Sequence, residues 1–194
     1  MDKVYRIILK RRTIRQFQQK KIPFAFLKKL VNSARLAPSG ANLQPCAYIV
    51  VDDSPLLDKV FTTLKWAGYI APAGNPPEGK RPVAYIVVLV NQEISKYGEK
   101  DAAAAIENMI LTAWEKGIAS CWIGSIDRKK LRLLLKIPPG YKIDFVLALG
   151  YPDERSVTEK FKGSIKYWKD KQGVLHVPKK RIESILRHNI WSEK

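Results

Sequence analysis

Two cysteines, two histidines and two methionines are all that this 194-residue chain contains of those residue types. Cys46 and Cys121 lie far apart, and neither belongs to a Cys-x-x-Cys pair, so no disulfide framework or thiolate metal site is encoded. Both sit in apolar, strand-like runs and read as buried free thiols of a reduced, cytoplasmic compartment. His176 and His188 fall late in the chain, which leaves no histidine metal spacing and no evident base for a catalytic triad. No apolar run approaches a membrane span, and the N-terminus alternates charge with hydrophobe instead of forming a secretory signal. A Gly-x-Gly-x-x-Gly turn, a Walker loop, internal repeats and low-complexity tracts are all missing.

Acidic residues are scarce as well: 18 against 35 Lys and Arg, for a formal charge of +17. That excess raises a nucleic-acid hypothesis, since a basic surface attracts polyphosphate through counterion release. The distribution speaks against it. Lys and Arg are scattered over most segments, and no helix or ribbon has a dense basic face interleaved with aromatics. A generally basic surface also draws anionic cofactors and substrates towards a cleft.

What the chain does have is a core. Hydrophobic residues make up 46% of it, with five Trp, eight Tyr and six Phe, enough for one domain spanning 1–194 without metal or disulfide support. Periodicity predicts helices over 2–11, 23–36, 54–65, 101–116, 128–135 and 178–190. Ser54, Asp101 and Asp127 are the expected N-caps, and Gly117 the expected stop. Buried strands are expected at 46–51, 83–90, 118–126 and 144–150. These strands are apolar on both faces, so helices should cover the sheet on both sides, as an α/β or α+β three-layer domain. Prolines and glycines punctuate 71–82 throughout, and that segment reads as a surface loop.

Two segments carry the chemistry. Ala37-Pro38-Ser39-Gly40-Ala41-Asn42-Leu43-Gln44-Pro45 is a polar loop between a helix and a strand, where Ser39, Asn42 and Gln44 crowd three hydrogen-bonding side chains into a turn. Such composition serves an ordinary turn equally well. Upstream, Lys10-Arg11-Arg12-Thr13-Ile14-Arg15-Gln16-Phe17 gathers cations at a helix end. Guanidinium forks there suit a phosphate ester, and they also suit a helix dipole.

In order and spacing these two segments resemble the nitroreductase family of flavin mononucleotide (FMN) enzymes. The family's paired basic residues, Ser or Thr, further basic residue and Phe precede a helix and then a Pro-Ser-small-x-Asn-x-Gln-Pro loop. The resemblance implies a mixed sheet flanked by helices and an intertwined homodimer with FMN at the interface. It places Arg11, Arg12, Thr13 and Arg15 at the phosphate end, and Pro38, Ser39, Asn42 and Gln44 near the ring, usually across the dimer. Cys121-Trp122-Ile123-Gly124-Ser125 resembles the second ring-contacting stretch, with Ile123, Gly124 and Ser125 beside the flavin and Gly124 allowing close backbone approach.

The chain departs from the family in two places. Cys46 stands where an aromatic is common, and 153–177 does not match closely, leaving Lys179 and Arg181 either as substitutes for a C-terminal basic cluster that completes the phosphate site or as part of a solvated helix start. The extension 153–194 is expected to pack on the partner subunit. Trp66, Tyr69 and Arg81 are candidate substrate contacts, although aromatic residues at such spacing also serve a core. No side chain is needed as a nucleophile, because the flavin carries the hydride. The implied activity is transfer from NADH or NADPH to a small oxidised acceptor such as a nitroaromatic or quinone. A non-catalytic flavin- or nucleotide-binding protein, flavin fragmentation and reductive dehalogenation are the alternatives.

Overall fold

The computed structural model describes residues 2–191. Its centre is a five-stranded sheet of β1 (Phe17–Gln18), β2 (Cys46–Val51), β3 (Ala84–Asn91), β4 (Ala119–Ile123) and β5 (Tyr141–Pro152). β5 is the hub. It pairs with β3 along one edge and with β4 and then β1 along the other, while β2 lies outside β3. These ladders are antiparallel, and a parallel bridge between Thr13 and Ser120 brings the N-terminal segment alongside β4.

β3 is buried from Ala84 to Val90, and its alternation feeds two cores. Ala84, Ile86, Val88 and Val90 pack against Leu27, Leu30 and Ala34 of α2 (Phe24–Arg35) and the stripe Ala102 to Ala113 of α4 (Glu99–Glu115). Tyr85, Val87 and Leu89 face Val60 of α3 (Ser54–Phe61) and Leu131 of α5 (Arg128–Leu135). A strand that buries both faces needs helices on both sides, and the three layers follow. In contrast, α1 (Lys3–Lys10) buries none of its residues.

Local details differ from expectation where tertiary contacts compete. Asp53, not Ser54, caps α3 by accepting from Leu56 N at 3.3 Å. The helix stops at Phe61 instead of Lys65, because Leu64 bridges Ile126 and Lys65 N donates to Ser125 O at 3.0 Å. α4 begins at Glu99, and Asp101 uses its carboxylate to accept from Gly40 N at 3.1 Å. Asp127 does cap α5, accepting from Lys130 N at 3.0 Å.

The helix expected over 178–190 does not form. Leu175–Lys179 is instead β8, parallel to β6 (Ser156–Lys160) and antiparallel to β7 (Trp168–Lys169), followed by a short 3-10 turn at Ile182–Ser184. The intended apolar face, Ile182, Ile185, Leu186 and Ile190, stands 59–74% exposed, and a short helix is marginal without a surface to bury against. Thus the weakly patterned stretch 153–177 supplies most of a second, smaller sheet with both parallel and antiparallel pairs. Among the described residues no helix is long and apolar enough to cross a membrane.

Candidate functional site

The cation segment lies along β4. Thr13 bridges Ser120, and Ile14 N donates to Ser120 O at 3.0 Å while the Ile14 side chain is buried with Phe17 and Ala119. Burying Ile14 and Phe17 leaves Arg11, Arg12, Thr13 and Arg15 half-buried beside the strand. Arg11 Nε stands 3.9 Å from Glu107 Oε1 of α4. Arg12 Nη1 donates to Arg11 O at 2.6 Å and Nη2 to Thr158 Oγ1 at 3.3 Å, so β6 is tied to this segment. Burial, then the neighbouring Arg11 charge, lowers the Arg12 pKa. A cavity of about 420 Å³ opens here, lined by Lys10, Arg12, Trp114, Glu154, Arg155 and Thr158 among others.

Arg15 is the most informative of the four. Its Nε and Nη1 atoms are buried without a well-formed hydrogen bond, a loose contact with the weakly accepting Cys121 thiol apart. A desolvated guanidinium with open donors is costly, and a planar anionic or acceptor-rich edge would relieve that cost. The guanidinium carbon sits 4.9 Å from the centre of the Tyr167 ring. Arg15 N donates to Glu154 Oε1 at 2.6 Å, and Glu154 Oε2 accepts from Lys169 Nζ at 2.9 Å. Beside the Arg15 guanidinium lies Cys121, whose thiol burial pushes up to about 11, with Arg15 pulling the other way. The Cys121 thiol is therefore held protonated and slow to react at neutral pH.

The polar loop is held in a demanding conformation. Ala41, Asn42 and Gln44 have φ of 49°, 56° and 51°, a region that L-residues with a side chain seldom adopt and that costs of order 1 kcal/mol each. Ser39 Oγ accepts from Gln44 N at 3.0 Å, Gln44 Nε2 donates to Asn42 O at 3.3 Å, and Asp101 fixes Gly40. Pro38, Asn42 and Gln44 are exposed, and Ser39 is half-buried. A small cavity of about 140 Å³ lies behind the loop, against Cys46, Tyr48 and Asp101. Burial raises the Cys46 pKa as well.

Within one chain the two segments do not meet. The loop runs into β2 at one edge of the sheet, and the cation segment flanks β4 at the other, β4 itself standing three strand spacings or about 14 Å from β2. No hydrogen bond or ion pair among the described residues joins them. Ile123, Gly124 and Ser125, in contrast, close the same strand that Arg11–Arg15 flanks. Ile123 is buried, whereas Gly124 and Ser125 are exposed. A Cβ on Gly124 would meet Phe145 Cε1 at 3.1 Å, so glycine keeps the backbone open there. Ser125 O is taken by Lys65 N, which pins the start of the 65–82 stretch to the strand end.

The remaining candidates scatter. Trp66 is 6% exposed and stacks on Phe61 with centroids 5.7 Å apart, so it is a core residue, with its Nε1 unpartnered. Arg81 lies over the Phe61 ring at 4.3 Å and pairs with Asp58 at 3.0 Å. Tyr69 is exposed and meets Tyr167 at 5.0 Å. Lys179 and Arg181 are exposed; the sheet register puts Lys179 beside Lys160, two residues along β6 from Thr158, the partner of Arg12. Arg181 lines a separate cavity with Phe161, Lys180 and Ser184. Sequence reasoning missed Glu154, Tyr167 and Lys169. The alternation in Ser156–Lys160 and Leu175–Lys179 signals strands, yet nothing local links them to Arg15, which is 139 residues from Glu154.

Comparison with known proteins agrees with this architecture. The family model described as the nitroreductase family matches residues 8–151. A relative from Archaeoglobus fulgidus, named for NADH dehydrogenase/NAD(P)H nitroreductase activity, is 35% identical over 168 residues, covering 82% of this chain and 91% of its own. A protein named iodotyrosine deiodinase from Thermotoga neapolitana is 25% identical, with 79% and 91% covered. Among solved structures, an FMN-dependent nitroreductase from Clostridium difficile superposes with a TM-score of 0.70 at 26% identity, covering 95% of this chain and 98% of that one. A Desulfovibrio desulfuricans protein solved in complex with FMN gives 0.69 at 22% identity, with 84% and 94% covered, a likeness of fold. With the cation segment, the strained polar loop and the open end of β4 all falling inside the matched region, this chain belongs to the nitroreductase family.

Proposed function

We propose that the protein is an FMN-dependent oxidoreductase that takes a hydride from NADH or NADPH and reduces a small oxidised acceptor, such as a nitroaromatic or quinone. The observation that carries this reading is Arg15, a half-buried side chain whose Nε and Nη1 donors are buried beside β4 without a well-formed hydrogen bond. The residues fit an FMN. Arg11, Arg12 and Thr13 would hold the phosphate with charge-assisted bonds, and Arg15 the acceptor-rich edge of the ring. Gly124 would let the strand end approach the ring face, and Ser39, Asn42 and Gln44 would bond it from the loop. When bound, FMN supplies a hydride acceptor and donor in one group; the protein supplies position, charge and exclusion of water.

The separation of the two segments in one chain points to a homodimer in which the loop of each subunit completes the other's site. Exposed apolar side chains on α1 (Val4, Tyr5, Ile8, Leu9) and after β8 (Ile182, Ile185, Leu186, Ile190) offer surface for it. Such a partner would also give the 182–190 face something to bury. Sedimentation of the FMN-reconstituted protein at low micromolar concentration, followed by protein and flavin absorbance together, should give a dimer carrying the flavin. A monomer with full flavin occupancy would defeat the shared-site arrangement, and a protein that takes up no FMN would defeat the cofactor assignment. Reductive dehalogenation is the second acceptor chemistry, favoured by the likeness to a protein named iodotyrosine deiodinase. A halogenated phenol therefore belongs in the acceptor panel.

A further inference from the structure

The small β6–β8 sheet falls outside the region matched by the family model, yet it makes the closest contacts to Arg15. Three of its groups converge there. Tyr167, just before β7, covers the guanidinium face at 4.9 Å. Glu154, only 4% exposed at its side chain, accepts from Arg15 N at 2.6 Å. Lys169 on β7 pairs with the other oxygen of that carboxylate at 2.9 Å, fixing its orientation. Tyr167 also meets Tyr69, 5.0 Å between centroids and tilted at 57°. The ring thus has a cation on one neighbour and an aromatic on the other, and no hydrogen bond is needed to hold it.

These contacts leave the charge of Arg15 unneutralised. The Glu154 carboxylate is spent on the Arg15 backbone and on Lys169, while Nε and Nη1 of the side chain have no well-formed hydrogen bond. An aromatic face attracts a guanidinium without consuming its in-plane donors, because the ring contributes its quadrupole and accepts no N–H bond in the guanidinium plane. A carboxylate in the same place would have taken those donors. The arrangement orients the cation and keeps its edge available.

We propose that the 154–179 segment is a strap that sets Arg15 for the cofactor, with Tyr167 and Glu154 as positioning residues. The inference rests on the FMN reading for its functional consequence, but its geometric part stands without flavin. Cys121, a core residue at 4% exposure, is a neighbour of the Arg15 guanidinium, so its reactivity reports a displacement of that side chain. A Cys46→Ser background leaves Cys121 as the single thiol.

The test compares Tyr167→Phe with Tyr167→Leu, since Phe keeps the ring and Leu removes it. In apoprotein, an aromatic disulfide reagent should modify Cys121 at least several-fold faster in the Leu variant than in the Phe variant or the parent, with circular dichroism unchanged. In the FMN-loaded protein, the Leu variant should bind FMN roughly threefold to tenfold more weakly, the scale of one cation–ring contact, and show a lower flavin midpoint potential. The Phe variant should stay within about twofold of the parent. Equal Cys121 reactivity in all three proteins would overturn the strap whether or not FMN binds. Equal loss in Phe and Leu would overturn it too, because the hydroxyl and not the ring face would then be what matters. Absence of FMN uptake by the parent, with Cys121 exposed only in the Leu variant, would sink the FMN reading and leave the strap standing.

Discussion

Arg15→Ala should weaken FMN binding by about 1.5–3 kcal/mol, roughly tenfold to over a hundredfold, while leaving the apoprotein at least as stable as the parent. The two halves of that expectation come from one fact. Nε and Nη1 are buried without a well-formed hydrogen bond, so the side chain is a liability to the free protein and an asset to an acceptor-rich ligand. Removing it costs Tyr167 its cation and Cys121 a weak contact, but it strands no carboxylate, because Glu154 remains paired with Arg15 N and Lys169 Nζ through groups the substitution does not touch. Arg11→Ala should lose affinity on the same scale if both cations serve one bound FMN, since its contact with Glu107 at 3.9 Å is long for an ion pair. Fluorescence titration with FMN gives both numbers, and thermal unfolding of apoprotein gives the stability. Unchanged affinity in both variants would return these residues to a structural role at the end of α1.

A larger loss of stability is expected from Phe17→Ala, about 3–5 kcal/mol, seen as a lower urea midpoint with little change in slope. Phe17 is fully buried with Ile14 and Ala119, and it pairs with Pro152 where β1 meets β5. Its N donates to Lys80 O at 2.9 Å. Gly150 makes room for it: a Cβ there would lie 2.7 Å from Phe17 Cβ and Cδ1. Because such a fit leaves no slack, truncation leaves a cavity that a rigid sheet edge cannot close. The phenylalanine of the N-terminal motif is therefore an anchor for the cations before it. A cost below about 1 kcal/mol would mean that the segment is held by its backbone bonds alone.

Much of this was legible because burial writes itself into sequence. Cys46–Val51 and Arg128–Leu135 have the bounds that their apolar runs and the Asp127 cap predict. The α4 stripe from Ile106 to Ala113 is likewise where a helical period puts it. Helix ends were less readable, since Asp101 spends its carboxylate on Gly40 and Leu64 leaves α3 to bridge Ile126. The 182–190 stretch failed for a different reason. Periodicity reports an apolar face but not whether the same chain offers a surface to cover it, and here that face stays exposed. The motif residues Arg11–Arg15 and Ser39–Gln44 could be found by order and spacing, and their places at opposite sheet edges could not. Nor could Tyr167 and Glu154, whose role depends on a contact closed over 139 residues between two segments with no local signal in common.

The most direct test of the central claim is an anaerobic titration of the FMN-loaded protein with NADH and with NADPH, following the visible flavin absorbance. The account predicts that at least one of the two bleaches the bound flavin stoichiometrically, and that a nitroaromatic, a quinone or a halogenated phenol then restores the colour. Bound flavin that neither nucleotide bleaches, in protein that dithionite reduces normally, would contradict it and leave a flavin-binding protein without this activity.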